Sequence, residues 1–313
     1  MAEGSKFQLS VPTGGESLRG IGVFLAAYLV ATIAEATVKW VLPEVGPAIA
    51  MMTRGVIGGI TVAVVVRGRG LFPQNKKLLV WRGLIRCCAA GITYWVWSRG
   101  LPLVDTYAVL SIAPLLMTLL AVPILGEKAG WRSWAATMVG CLGVLIMLQP
   151  SGDLWRIEAF VLLFGAVLMA LTRVWSRALS ASDSPATITF WLMMAHIPFG
   201  LLLLPVFPPT GNVMTTNVLL LLVFFGVLNG IAQLLFARAF ALAPVSALAP
   251  FEYSPLLFGG ILGFIIWGDV PGWTTLYGVA LVAVAGLYTV YREQRRRAAE
   301  RAAASSKNQA ASG

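Results

Sequence analysis

Apolar runs of about 20 residues, enough to cross the hydrocarbon of a bilayer, follow one another along almost the whole chain. Cut at proline, glycine and charge clusters, they number ten: roughly Ile21–Trp40, Pro47–Val66, Leu78–Trp97, Asp105–Leu125, Trp131–Leu148, Glu158–Leu179, Pro185–Val206, Val218–Ala239, Ser246–Trp267 and Trp273–Tyr291. Inside lipid a backbone must satisfy its own polar groups, and these runs lack the alternation of barrel strands, so each is expected to be a helix. Short linkers make them antiparallel neighbours. The expected class is an all-α polytopic membrane protein with ten transmembrane helices.

Composition agrees. Only 12% of residues are charged and 58% are hydrophobic, with a mean hydropathy of +0.82. A soluble domain could not hide that much apolar surface. The net charge of +10 forms no basic stripe on a soluble face, so nucleic acid is not the expected partner. Cys87 and Cys88 are adjacent and Cys141 lies in another apolar run, a pattern with neither disulfide nor metal spacing. His196 is the only histidine. No metal or other cofactor is expected, and no enzyme.

The basic residues fix an expected orientation. With the amino terminus cytoplasmic, the inner set holds Lys6, Arg19, Arg67, Arg69, Lys76, Lys77, Lys128, Arg132, Arg173, Arg177, Arg238 and the cluster Arg292, Arg295, Arg296 and Arg297. The outer connections keep Lys39, Arg99 and Arg156, and the outer stretch "FPPTGNVMTTN" has no charge. This places both termini inside. Arg19, the run after it and Ala34-Glu35-Ala36 imitate a cleavable signal peptide. Cleavage would leave nine helices, so the segment is read as the first span. The final stretch 298–313 has the composition of a disordered tail.

One corner is made twice. Residues 123–131 read "PILGEKAGW" and residues 265–273 read "IIWGDVPGW", with Ile, Gly, acid, Gly and Trp at the same offsets. Lys39 and Pro47 are spaced like Arg177 and Pro185, and Pro114 and Pro255 match with a one-residue slip. The chain therefore divides into a cytoplasmic segment 1–19, a first five-helix repeat 20–150, a second repeat 151–297 and the tail. Because five is odd, the second copy enters the membrane from the opposite side. Inverted repeats of this kind build many secondary transporters, with the binding site near the midplane between the halves.

These features resemble the drug/metabolite transporter superfamily, as two tandem EamA-type units over residues 20–291. The resemblance rests on the two corners, Pro114, Pro255, Arg54 and the lead-ins "LPLVDTYAVLSIAP" and "LAPVSALAPFEYSP". It departs at the seventh helix, where Leu192 stands opposite Arg54. It implies a central cavity lined by helices one to four and six to nine, with five and ten peripheral. The chain is also similar to bacterial exporters of amino acids, including an aromatic branch.

A charge at the bilayer centre costs about 2.5–3.5 kcal/mol, so each buried polar group needs a partner or a task. Tyr28, Thr32, Glu35 and Lys39 share one helical face, and Glu35 can either pair with Lys39 or line a cavity. Arg54, among Gly55, Gly58 and Gly59, reads as a partner of Glu35 or of carbonyls, or as a carboxylate fork. Arg82 and Arg86 read as inner-leaflet snorkellers. Tyr94, Trp97, Tyr107 and Trp191 could wall a substrate ring or form an interface belt, and Ser111 and Tyr253 join the candidates. Asn229 and Gln233, one turn apart at mid-membrane, are the preferred substrate contacts. In "APFEYSP", Pro250 and Pro255 free carbonyls; Glu252 there is read as pairing with Arg238 or Lys128, or as holding an ammonium or a proton. His196 is read as a neutral ring bonded to helix backbone, with proton relay as the alternative.

The expected function is export of amino acids, aromatic ones first, and of related small metabolites by alternating access. A proton is the candidate coupling ion, and the working unit is a monomer or weak homodimer. A multidrug or cationic-metabolite exporter is the alternative. An intramembrane enzyme or sensor, or a passive channel, belongs to other classes, and the chain has no nucleophile–base constellation for catalysis.

Overall fold

The structure, a computed structural model, describes residues 13–98, 112–127, 157–209 and 215–267, residues 110 and 211, and scattered positions in 131–142 and 277–298. The second corner, with Asp269, lies outside the described residues, as do residues 1–12 and 298's successors in the tail. Every described regular element is a helix. Among the described residues, five helical stretches are long and apolar enough to cross a membrane: Gly15–Val38, Trp40–Val65, Phe160–Leu179, Pro185–Leu203 and Thr216–Leu242.

The first two spans form one helical stretch, Gly14–Val65, that turns at Gly46. Sequence reading ended the first span at Trp40, but the helix runs on to residue 45. Pro43 does not stop it, and the break comes at Gly46 with φ 71°, ψ 166°. At the other end Thr13 and Glu16 close a capping box, which starts the helix before the first apolar residue. The third, sixth, seventh and eighth spans are Lys76–Ser98, Ile157–Leu179, Pro185–Leu203 and Thr216–Leu242. Described positions of the fifth and tenth spans are helical too.

The fourth span is helical over Ala113–Leu125 and the ninth is broken. A four-residue helix, Val245–Leu248, passes through a 3-10 turn, Ala249–Tyr253, into the helix Ser254–Trp267. Pro114 and Pro255 each stand second in their helical segments. There the missing proline N–H costs nothing, so both open a helix rather than kink one. Gly126 ends the fourth span in the left-handed conformation (φ 67°), which explains the glycine of the corner.

The connections alternate between two faces of the bundle. On one face, Asp183 accepts from the backbone N–H groups of Gln74 (2.7 Å) and Asn75 (3.2 Å), joining the turn after the second span to the turn after the sixth. This face carries Arg67, Arg69, Lys76 and Lys77, and is called the basic face below. On the far face, Gly211 N–H donates to Glu44 O at 2.8 Å, joining the first connection to the seventh. Glu127, after the fourth span, meets Val245 and Ser246 after the eighth, again on the basic face. This is the pattern that inverted five-helix units require.

Glycine lets the second span press between the seventh and eighth. A Cβ built on Gly230 would lie 2.7 Å from Gly58 O and 3.0 Å from Gly58 Cα. One built on Gly55 would lie 2.9 Å from Met193 O. Small residues allow backbones this close, where dispersion packing, the main driving force between helices in lipid, is strongest. Toward the basic face, Phe24, Tyr28, Phe236 and Phe240 interlock edge to face, with ring centres 4.7–5.5 Å apart.

Candidate functional site

Glu35 lies midway along the first helix yet is exposed, and it feels the charges of Arg54, Arg86 and Arg173. Those arginines come from the second, third and sixth spans. An accessible acid among arginines of three other helices marks a hollow between helices, not a lipid-facing side chain. Among the described residues Glu35 makes no ion pair. The expected pair with Lys39 cannot be placed, since that side chain lies outside the described residues.

Among the described residues, Arg54 Nε, His196 Nε2 and Asn229 Oδ1 are buried without a hydrogen-bond partner, and Arg54 is within electrostatic reach of both Glu35 and His196. Arg54 is 7% exposed and Asn229 5%. His196 is fully buried, its Nδ1 2.7 Å from Leu192 O and its charge environment set by Arg54, Arg86 and Arg82. The histidine is thus anchored to helix backbone, as expected, with one nitrogen left over. Buried polar groups are normally satisfied. Two nitrogens and an amide oxygen without described partners on three packed spans make this the candidate site. Gln233 is buried one turn from Asn229.

A second tier lies closer to the basic face. Arg173 Nε is 3.4 Å from Glu252 Oε1, and Arg173 Nη2 donates to the Tyr28 hydroxyl at 3.0 Å. Tyr28 O–H is also hydrogen-bonded to Glu252. The partner expected for Glu252 was Arg238 or Lys128. Arg238 is exposed, Lys128 lies outside the described residues, and Arg173, assigned from sequence to the inner leaflet, turns inward instead. Its guanidinium stacks 4.3 Å from the Phe236 ring centre. One turn further along the sixth span, Arg177 meets Glu127 at 3.8 Å.

Other expected site residues fall elsewhere. Arg82 is no snorkeller. It is 6% exposed, and it donates from Nε to Ser176 Oγ (2.9 Å) and Thr172 O (3.3 Å) and from Nη1 to Ile188 O (3.3 Å). It ties the third span to the sixth and seventh. Trp191 is no cavity wall either: it is 39% exposed and its indole N–H donates to Leu71 O on the basic face. Tyr94 packs with Met51, Cys87 and Ala90. Tyr253 is 2% exposed and donates to Thr137 O, which fastens the ninth span to the fifth. The side chain of Trp97, and Tyr107 and Ser111 entirely, lie outside the described residues. A separate groove of about 240 Å³, lined by Ile33, Trp40, Leu221, Phe224 and Leu262, carries no charged group and is not part of this site.

Sequence reasoning missed Arg173 and Arg177 as interior groups. Their spacing of four and their place within the last two turns of an apolar helix match a snorkelling pair. The signal that distinguishes them is the acid each meets, and both acids are remote in sequence.

The family model of the EamA-like transporters matches residues 18–149 and 156–292. A riboflavin transporter of Vibrio cholerae is 31% identical over 67% of this chain and 71% of its own length. An S-adenosylmethionine uptake transporter of Rickettsia prowazekii is 26% identical over 74% of this chain and 78% of its own. A pseudopaline exporter of Pseudomonas aeruginosa is 26% identical over 84% and 94%. A solved crystal structure superposes with a TM-score of 0.74 over 90% of this chain and 99% of the other, at 17% identity, which speaks to the fold alone. With both repeats matched, the chain belongs to the EamA-like transporter family, as a multi-pass membrane transporter.

Proposed function

We propose that this transporter carries a small metabolite with a planar ring and carbonyl or carboxylate oxygens, bound in the hollow beside Glu35. A flavin-class heteroaromatic is the first substrate to test. The observation that carries this reading is the incomplete polar site. Arg54 Nε, His196 Nε2 and Asn229 Oδ1 have no hydrogen-bond partner among the described residues, and the charges of Arg54, Arg86 and Arg82 reach His196. Arg54, Arg86 and Arg173 against Glu35 and Glu252 favour an electron-rich guest and oppose a cationic one. A pyrimidinedione edge offers the carbonyl and N–H groups that such a site can match. Riboflavin, named for one relative, is neutral and carries such an edge on a planar heteroaromatic ring.

An aromatic amino acid is the second reading, favoured by Glu35 as a counter-charge for an ammonium close to arginines that would take the carboxylate. The relatives' names include uptake and export, so direction does not follow from membership. Export remains the proposal from the sequence, with the basic face and both termini cytoplasmic, a proton as coupling ion and a monomer or weak homodimer as the working unit. Neither an enzyme nor a multidrug carrier of flat cations is proposed.

Proteoliposome counterflow tests this. Saturable exchange of riboflavin, competed by lumichrome-type rings and not by flat organic cations, is the expected result, and repeating it across a pH gradient reads the coupling. Saturable transport of the cations, without flux of riboflavin or of any aromatic amino acid, would overturn the proposal.

A further inference from the structure

Arg173 is held from several sides by groups of both repeats. Tyr28 belongs to the first span, Phe236 to the eighth and Glu252 to the 3-10 turn of the ninth. The Arg173 side chain is 13% exposed and that of Glu252 4%. Separating such a pair outright would leave two buried charges uncompensated, a large penalty. Exchanging one partner for another avoids that penalty. Arg173 is placed for exchange, because it also feels Glu35, the accessible acid of the cavity.

Glu252 is placed for exchange as well. It stands where the ninth span has already left the α-helical ladder, between the short helix Val245–Leu248 and the helix Ser254–Trp267. A residue in a 3-10 turn between two segments can shift with few backbone bonds to remake. Toward the basic face the Arg173 guanidinium lies 4.3 Å from the Phe236 and 5.8 Å from the Phe240 ring centre, and Phe24 meets both rings edge to face.

We propose that Glu252 is an internal stand-in for the substrate, occupying Arg173 until a substrate oxygen replaces it, and that its release lets the basic face open. Arg173 then determines specificity and links recognition to opening. The proposal rests on the reading of the hollow as the transport site, and on riboflavin only as a probe.

The test uses the full chain with Cys87, Cys88 and Cys141 replaced by alanine and Ala239→Cys as reporter. Ala239 is fully buried beside Phe236 and Phe240, between the pair and the basic face. In lipid nanodiscs, thiol labelling by a polar maleimide should be faster in E252Q than in its parent. In proteoliposomes, E252Q should lower KM for riboflavin and R173K should raise it, each by about tenfold, the scale of one charge-assisted hydrogen bond. Equal labelling rates with and without E252Q overturn the proposal, as does a KM that rises in E252Q. If the parent shows no saturable riboflavin flux, the substrate reading fails, and the labelling comparison alone decides the role of Glu252.

Discussion

Glu127 of the first repeat lies 3.8 Å from Arg177 of the second, and together they bind both ends of the turn between the eighth and ninth spans. The Glu127 carboxylate accepts from Val245 N–H (3.2 Å) and Ser246 N–H (3.3 Å). Arg177 Nη1 donates to Phe240 O (3.1 Å) and Ala241 O (2.8 Å). An acid thus meets amides that open a helix and a cation meets carbonyls that end one, each pairing electrostatically favourable. The acid of the repeated corner is therefore a clasp between repeats.

Replacing Glu127 with glutamine keeps the shape but turns one of its two accepting oxygens into an NH2 group that faces a backbone N–H. E127Q is expected to lower stability by about 1–3 kcal/mol, the cost of leaving a buried donor unsatisfied. Thermal unfolding in detergent checks this, and an unchanged midpoint would contradict it.

The same group sets a pH dependence. Burial raises the Glu127 carboxyl above its usual value, against the lowering effect of the Val245 and Ser246 amides and of Arg177. The folded state then binds a proton more readily than the unfolded state. Stability from this group is highest at low pH and falls as pH rises from the ordinary carboxylate value through the raised one. Wild type should show that slope in unfolding free energy above pH 4.5, and E127Q should lack it.

Arg82 is a purely structural cation in this fold. R82K keeps the charge but loses the fork that reaches Ser176, Thr172 and Ile188 at once. It should lower the unfolding midpoint and leave KM for substrate unchanged; a raised KM with full stability would instead place Arg82 in the binding site.

Gly230→Ala pushes a methyl group against the backbone of Gly58, which cannot rotate away. Overpacking of this kind costs about 1–3 kcal/mol. G230A should therefore yield less folded protein than Gly22→Ala, whose new Cβ meets nothing within 4 Å. Size-exclusion profiles after solubilisation compare the two.

Arg54 Nε and Asn229 Oδ1, both part of the proposed site, are buried without a hydrogen-bond partner among the described residues. R54Q and N229L should each reduce transport by about tenfold or more while the protein stays folded, since neither side chain's lost group holds a described partner. Uptake by proteoliposomes of matched protein content is the measurement.

Much of this architecture was legible because lipid permits so few solutions. The seventh span was read as Pro185–Val206 and is Pro185–Leu203, and the sixth was read as Glu158–Leu179 and is Ile157–Leu179. The end of the first span was misplaced because Pro43 and Trp40 suggest a stop that only Gly46 makes. The mid-membrane amides Asn229 and Gln233 were visible by type and depth. The partner of Glu252 was not: Arg173 and Arg238 are equally plausible by charge, and only the angular position of each helix decides. Trp191 likewise looked like a cavity wall until its neighbour Leu192 took the buried side.

The close seam between Gly58 and Gly230 has a consequence for movement. Backbones in direct touch cannot slide without first separating, so the second and eighth helices behave as a keel. Probes placed on its two members should keep one spacing in every state, a fixed ruler against which the excursion of the Ser254–Trp267 rod can be measured.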